Sequence, residues 1–264
     1  MEEKILIVDD QTSKVELPEQ FGVEPVVIWQ GKFLDNIYNL LYSIGRVIMQ
    51  SRKQTMPNSI GYKLNILGNA TSLLNAEIDN NIPTMATNGF ALDTAMWTKI
   101  KPKYYMLSDW KFRNQNFPFW QAILAHDWEL NIFLWYRKRD TAINHFVRYN
   151  KTTIEGFYWF VNMGLRLGLG MPSPANVLIP CLVNAIKMGY IEIHLYGFEF
   201  DWYKETIFGE KTKIHFYDEK KPKMPNLEES LFTFWRTVKG LNIVKKYAEG
   251  KGVKIINHSN FKII

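Results

Sequence analysis

Four short apolar runs in this chain each end on polar residues of types that can bond a ligand. Gly68-Asn69 follows Leu64-Asn65-Ile66-Leu67, with Thr71 and Ser72 next; Thr87-Asn88 closes a second run, Ser108-Asp109 follows Tyr104–Leu107, and Gly197-Phe198-Glu199 follows Ile191–Tyr196. Asn supplies both a donor and an acceptor, and a hydroxyl can cap a helix or bond a phosphate oxygen. A glycine turn ahead of a helix aims backbone N–H groups and the helix dipole at an anion. Gly68-Asn69 is neither the dinucleotide fingerprint G-x-G-x-x-G nor a P-loop, which needs a lysine. Each of these pairs, taken alone, is also what an ordinary turn bonded to its own backbone looks like.

Other chemistry-bearing residues are sparser. Glu199 and Asp201 form an E-x-D pair, the nearest approach to a Mg²⁺ site of hard oxygen ligands. His194, on an apolar strand, reads as a hydrogen-bonded core residue. His126 lies beside Asp127 and Glu129, which suits an acceptor-side pair or a solvated junction equally. His145, Arg148 and Lys151 form a local basic patch whose default reading is a solvated face.

The elements that must position these residues follow from apolar spacing. Residues 4–8 and 26–29 read as short strands, and from Lys32 apolar positions between Phe33 and Ile48 recur at three and four, which predicts an amphipathic helix with Arg46, Arg52 and Lys53 as its basic end. Its apolar side is expected to pack on the main domain, with shallow insertion at an anionic membrane surface as the alternative. A polar link over 50–62 leads into a strand–turn–helix rhythm. Strands are predicted at 64–68, 84–89, 104–109, 129–136, 190–200 and 253–257. Helices are predicted from about Ser72, over 175–189 with Gly189 as stop, and over 227–249 closed by Gly250 and Gly252. This alternation predicts an α/β fold, a mostly parallel sheet with helices on both faces, whose ligands gather at the C-terminal strand ends. Residues 1–62 form an N-terminal extension and 63–264 the main domain.

Composition bounds the function classes. The 264 residues are 47% hydrophobic, enough for a large core. The single Cys181 excludes an intramolecular disulfide and a cysteine-based zinc site, and fits a reducing cytoplasm. The N-terminus MEEKILIVDD reads as neither a signal peptide nor a span. Net charge is +6 with 15% aromatic residues, nine of them Trp, which suits sugar stacking or membrane-interface contact as well as a large core. Basic residues are spread along the chain, so a nucleic-acid partner is not expected.

Reading G-N-x-x-S-L at 68–73, A-T-N-G-F at 86–90, K-P-K-Y-Y-M-L-S-D-W-K-F at 101–112 and A-x-x-x-G-Y-x-E-I-x-L-x-G at 185–197, the chain resembles the bacterial sialyltransferases of glycosyltransferase family 42 and the wider MptE-like (DUF115) proteins. The resemblance spans roughly residues 63–257. It implies a Rossmann-like, GT-A variant fold of the sialyltransferase type with a short mobile lid at about 201–226. It implies that Gly68, Asn69 and Ser72 hold the phosphate and ribose of a cytidine nucleotide, that Asn88 and Asn176 contact the same donor, and that Gly197 and Glu199 stand for the family's Gly-x-Asp turn. Ser108 and Asp109 stand where the family has a donor-contacting Asn. In the lid region the family's base is a histidine; His215 is the imidazole there, with Asp218 or Glu219 as substitutes. Tyr203 and Tyr217 stand for the lid tyrosines on the leaving phosphate. An unperturbed imidazole titrates near 6.5 and suits deprotonation of an acceptor hydroxyl. The expected function is a glycosyltransferase with a nucleotide-sugar donor, a CMP-linked sialic acid or Kdo first, and a surface-glycan or glycolipid acceptor. No cofactor or metal is required, with Mg²⁺ less favoured. Peripheral contact with the inner face of the cytoplasmic membrane and homo-oligomerisation are compatible with this reading. The alternatives are an MptE-like pyrophosphokinase using ATP and Mg²⁺, and a non-catalytic nucleotide- or sugar-binding protein.

Overall fold

Successive side chains of a strand point to opposite faces, and Leu64, Asn65, Ile66 and Leu67 are all buried, so the strand that carries them needs cover on both sides. The computed structural model provides it, and describes residues 33–49, 56–59, 61–108, 118–134, 147–149, 153–200, 215–217 and 227–259. β1 (Lys63–Leu67) lies in a seven-stranded sheet with β2 (Thr84–Thr87), β3 (Tyr104–Leu107), β4 (Asn131–Leu134), β5 (Val147–Tyr149), β8 (Glu192–Tyr196) and β9 (Lys254–Asn257), ordered β5-β4-β3-β2-β1-β8-β9. Every pairing is parallel, in a register that sets Asn65 opposite Thr84 and Ile66 opposite Leu195. The α/β fold expected from the alternation is the fold observed.

Helices cover both faces. Leu64 and Ile66 enter one core with α4 (Tyr158–Arg166), α5 (Leu178–Met188) and α6 (Leu227–Glu249). Leu67 enters the other with a 3₁₀ helix over Asn88–Leu92, α2 (Thr94–Ile100) and α3 (Phe119–Ala125). α5 is buried almost throughout and ends on Gly189 at φ +99°, a left-handed stop that glycine adopts without a Cβ penalty. A two-stranded sheet of β6 (Thr153–Ile154) and β7 (Met171–Pro172) stands beside the main one.

α1 (Phe33–Met49) seats on the end of β6. Ser43 accepts from the Glu155 amide at 2.9 Å, and Leu40 and Val47 pack on the core. The seat uses only part of the apolar side, because Leu34 and Leu41 stay 75% and 62% exposed.

One expected element is corrected. The helix predicted from Ser72 is a five-residue 3₁₀ turn, Thr71–Asn75, with neither hydroxyl capping it. Apolar periodicity stops after Leu74, and the chain instead forms an Asx turn, Asn81 N donating to Asp79 Oδ1 at 2.9 Å. Buried Asn65 anchors that loop by donating to the Asp79 carbonyl at 3.1 Å. No long helix dipole therefore follows Gly68-Asn69. The strands predicted at 4–8 and 26–29 lie outside the described residues. β5 falls within the stretch read as a basic patch.

Candidate functional site

Two glycines bring the exits of β1 and β8 into backbone contact. Gly68 N donates to Tyr196 O at 2.8 Å and Ala70 N to Gly197 O at 3.1 Å. A Cβ on Gly68 would overlap the Gly197 carbonyl, and Gly197 itself turns at φ +68°. The consequence is a polar bridge between the two loops: Ser72 Oγ donates to Glu199 Oε1 at 2.6 Å.

Asn69 sits between these loops. Its carbonyl accepts from Phe216 N at 3.0 Å, while its side-chain Oδ1 is buried and has no hydrogen-bond partner among the described residues. Leaving a buried acceptor unmade costs about 1–3 kcal/mol, so such an atom calls for a donor from water or a ligand; Asn65 Oδ1, buried in β1, is in the same state.

The neighbouring exits are tied to it. Thr87 Oγ1 donates to Leu67 O at 2.9 Å, joining β2 to β1. Asn88 turns in the left-handed region at φ +44°; its Oδ1 accepts from Ser108 N at 3.2 Å and its carbonyl from the Tyr105 hydroxyl. Residues 215–217 lie across these exits. The Phe216 ring meets Phe90 edge-on at 5.4 Å, the Tyr217 hydroxyl occupies the space a Cβ on Gly89 would need, and the His215 ring stacks on Tyr217 at 5.0 Å. Asn176 stands at the head of α5, where its Oδ1 accepts from Leu178 N at 2.8 Å. Because α5 returns the chain to the start of β8, that head lies at the same edge of the sheet.

The structure thus gathers Gly68, Asn69, Ser72, Asn88, Ser108, Gly197, Glu199, His215 and Tyr217 on the C-terminal strand edge. Asp109, Tyr203 and Asp218 lie outside the described residues, as do Asp201, Glu219, His145 and Lys151. His126 belongs to the opposite end: it follows α3, ahead of β4, and stacks on Trp128 at 4.6 Å, and burial lowers its pKa. His194 bonds His258 and Glu192, each at 2.9 Å, on the surface of β8. No three His, Cys, Asp or Glu side chains among the described residues converge as a metal site.

Three contributors escaped the sequence reading. Gly89 makes room for Tyr217, Tyr105 fixes the Asn88 carbonyl, and Phe216 ties its segment to Asn69. The Asn88-Gly89 dipeptide is a turn signal that could have flagged the first. Nothing local marks the other two.

No family model and no curated protein matches the chain. Among solved structures it is similar to the sialyltransferase CstII from Campylobacter jejuni in complex with a substrate analogue, cytidine-5'-monophosphate, at 14% identity over 75% of this chain and 79% of that one, with a TM-score of 0.39.

Proposed function

We propose that this chain is a glycosyltransferase that binds a nucleotide-activated sugar at the C-terminal strand edge and passes the sugar to a glycan or glycolipid hydroxyl in the cytoplasm. The first donor class is a CMP-linked ulosonic acid such as sialic acid or Kdo. The observation that carries the reading is Asn69: a buried acceptor without a donor among the described residues, on the exit loop of β1, fastened through its own carbonyl to the segment that holds His215. A phosphate dianion brings no hydrogen to such an oxygen. A ribose hydroxyl or a base amine does, so Asn69 suits the nucleoside end of the donor. The motifs G-N-x-x-S-L and A-x-x-x-G-Y-x-E-I-x-L-x-G support the same reading by resemblance.

In the proposed reaction the acceptor oxygen bonds to the anomeric carbon as the bond from that carbon to the phosphate oxygen breaks. The bonding pair leaves on the nucleotide phosphate, and His215 takes the acceptor's proton. Tyr203 and Tyr217 are assigned to the leaving phosphate, and Asp218 or Glu219 is the substitute for His215 as base. Hydroxyl and amide donors held in place before the reaction stabilise the departing charge without requiring a metal.

Thermal-shift measurements with CMP, CDP, UDP, GDP and ATP, each with and without Mg²⁺, test the reading. CMP without metal is expected to stabilise the protein, by about 2.7 kcal/mol at 100 times its Kd. A response confined to ATP with Mg²⁺ would replace the transferase by a pyrophosphokinase, and no response to any nucleotide would end both. His215→Ala is expected to leave CMP binding intact and to lower transfer by about 10²–10⁴-fold.

A further inference from the structure

The outer surface of α4 and α6 leaves large aromatic side chains in water. Trp159 is 59% and Trp235 52% exposed, and Leu231, Met163 and Leu167 are exposed with them. On α6 these positions continue as a single stripe at helical spacing, in which the apolar Leu227, Leu231 and Trp235 give way to Lys239, Asn242 and Lys246. The lysines lie against aromatic faces, Lys239 Nζ at 4.7 Å from the Trp235 ring centroid and Lys246 Nζ at 5.5 Å from that of Tyr158. Between Tyr158 and α6 is a depression of about 500 Å³ lined by Lys239, Lys245 and Lys246 together with Asn242 and Glu249. The surface runs on to α1 through a chain of rings: Trp159 on Phe157 at 6.2 Å, and Phe157 on Phe33 at 5.6 Å. Its apolar head, Leu227 and Leu231, starts at the strand-exit edge, because α6 leads into the start of parallel β9, and its lysines lie toward the other end of the helix.

From this surface we infer that α4 and α6 form a docking face for an anionic lipid bilayer. Trp and Tyr rings favour the interfacial layer because one end is apolar and the other polar, and lysines lay their methylene stems on apolar surface while the ammonium reaches lipid phosphates. Half-exposed tryptophans in a contiguous apolar patch mark an interaction surface. The cations select the partner. Arg166, Lys239, Lys245 and Lys246 are exposed along the face, against the carboxylates Glu228 and Glu249 at the two ends of α6. A symmetric contact between two copies would press both sets of lysines onto one interface, whereas an anionic leaflet attracts all of them. No described helix is long and apolar enough to cross a membrane, so the contact is peripheral.

Vesicle flotation at 0.1 M salt tests the inference without any nucleotide present, so its outcome is separate from that of the transferase reading. The full chain is expected to float with phosphatidylcholine vesicles containing about one-third phosphatidylglycerol and to stay behind with phosphatidylcholine alone. Each lysine near an anionic surface is worth about fivefold in partitioning, so K239Q/K245Q/K246Q is expected to lower it by about 100-fold. W159S/W235S is expected to lower it too and to abolish quenching of tryptophan emission by brominated lipid. Absence of flotation, equal flotation on both lipids, or indifference to the lysine substitutions overturns the inference. So does a lipid-free dimer that W159S/W235S converts to monomer, which would assign the face to a second copy.

Discussion

Burying an acceptor without a donor raises the free energy of the unliganded chain, and Asn69 Oδ1 has no donor among the described residues. Removing it is therefore expected to separate stability from binding. Asn69→Ala should hold or raise the melting temperature of the nucleotide-free protein, by roughly 2–4 °C per kcal/mol recovered, while weakening CMP by about 10-fold or more. Calorimetric melting with titration of CMP checks both halves; a destabilised variant with unchanged affinity would make Asn69 a structural residue. Asn69, Asn88 and Ser108 were legible because a polar side chain stands out when it closes an apolar run. Their partners were not. Ser72 finds Glu199 across 127 residues, and Asn88 finds Ser108 across 20, distances over which no local periodicity survives. The hydroxyl of Ser72 invited reading as a helix cap because serine caps are common, yet its oxygen is engaged by a carboxylate from another loop.

Among the elements, those with long uninterrupted patterns were the legible ones. The helix over 227–249 was read to its observed ends, since its apolar spacing persists and Gly250 and Gly252 close it. β5, β6 and β7, at three, two and two residues, are too short to show a period; β5 is held by pairing with β4, and β6 and β7 by pairing with each other and contact with α1 and α4. The junction of β1 with β8 depends on a feature no period reveals, the backbone contact of Gly68 with Gly197. Gly68→Ala is expected to cost about 1–3 kcal/mol or more, because the added methyl meets a carbonyl group that cannot rotate aside. Gly45→Ala is the contrast: it lies inside α1 with nothing within 4 Å of the new methyl, so it is expected to be neutral or to stabilise by up to about 1 kcal/mol. Urea midpoints of both variants measure the difference. Equal effects would mean that the close approach of β1 and β8 is not what requires glycine at 68.

At the scale of the whole molecule the class of fold followed from alternation alone, because strands separated by helices make crossover connections, which give a parallel sheet with helices on its faces. What alternation does not reveal is where charge settles on that sheet. Lys63 and Glu192 pair at 2.7 Å across β1 and β8, and this bond, followed by that from His194, holds the Glu192 carboxyl down at about 2. Its contribution to stability is present above the ordinary value of 4.5 and is lost as pH falls from there toward 2. His126 and His258 act at higher pH. Burial lowers both pKa values below 6.5, and neighbouring His194 lowers that of His258 further. The unfolded chain therefore takes up protons on these rings before the folded one does. Their contribution is full above pH 6.5 and declines as pH falls through the folded values. Acidification is expected to lower the melting temperature in two stages, one below about pH 6.5 and one below about 4.5. H126Q/H258Q should flatten chiefly the first and E192Q chiefly the second, with some crossover because His194 bonds both His258 and Glu192. Melting followed by circular dichroism at constant ionic strength would resolve the stages; an unchanged slope between pH 7 and 5 in the double variant would assign the first stage to other groups.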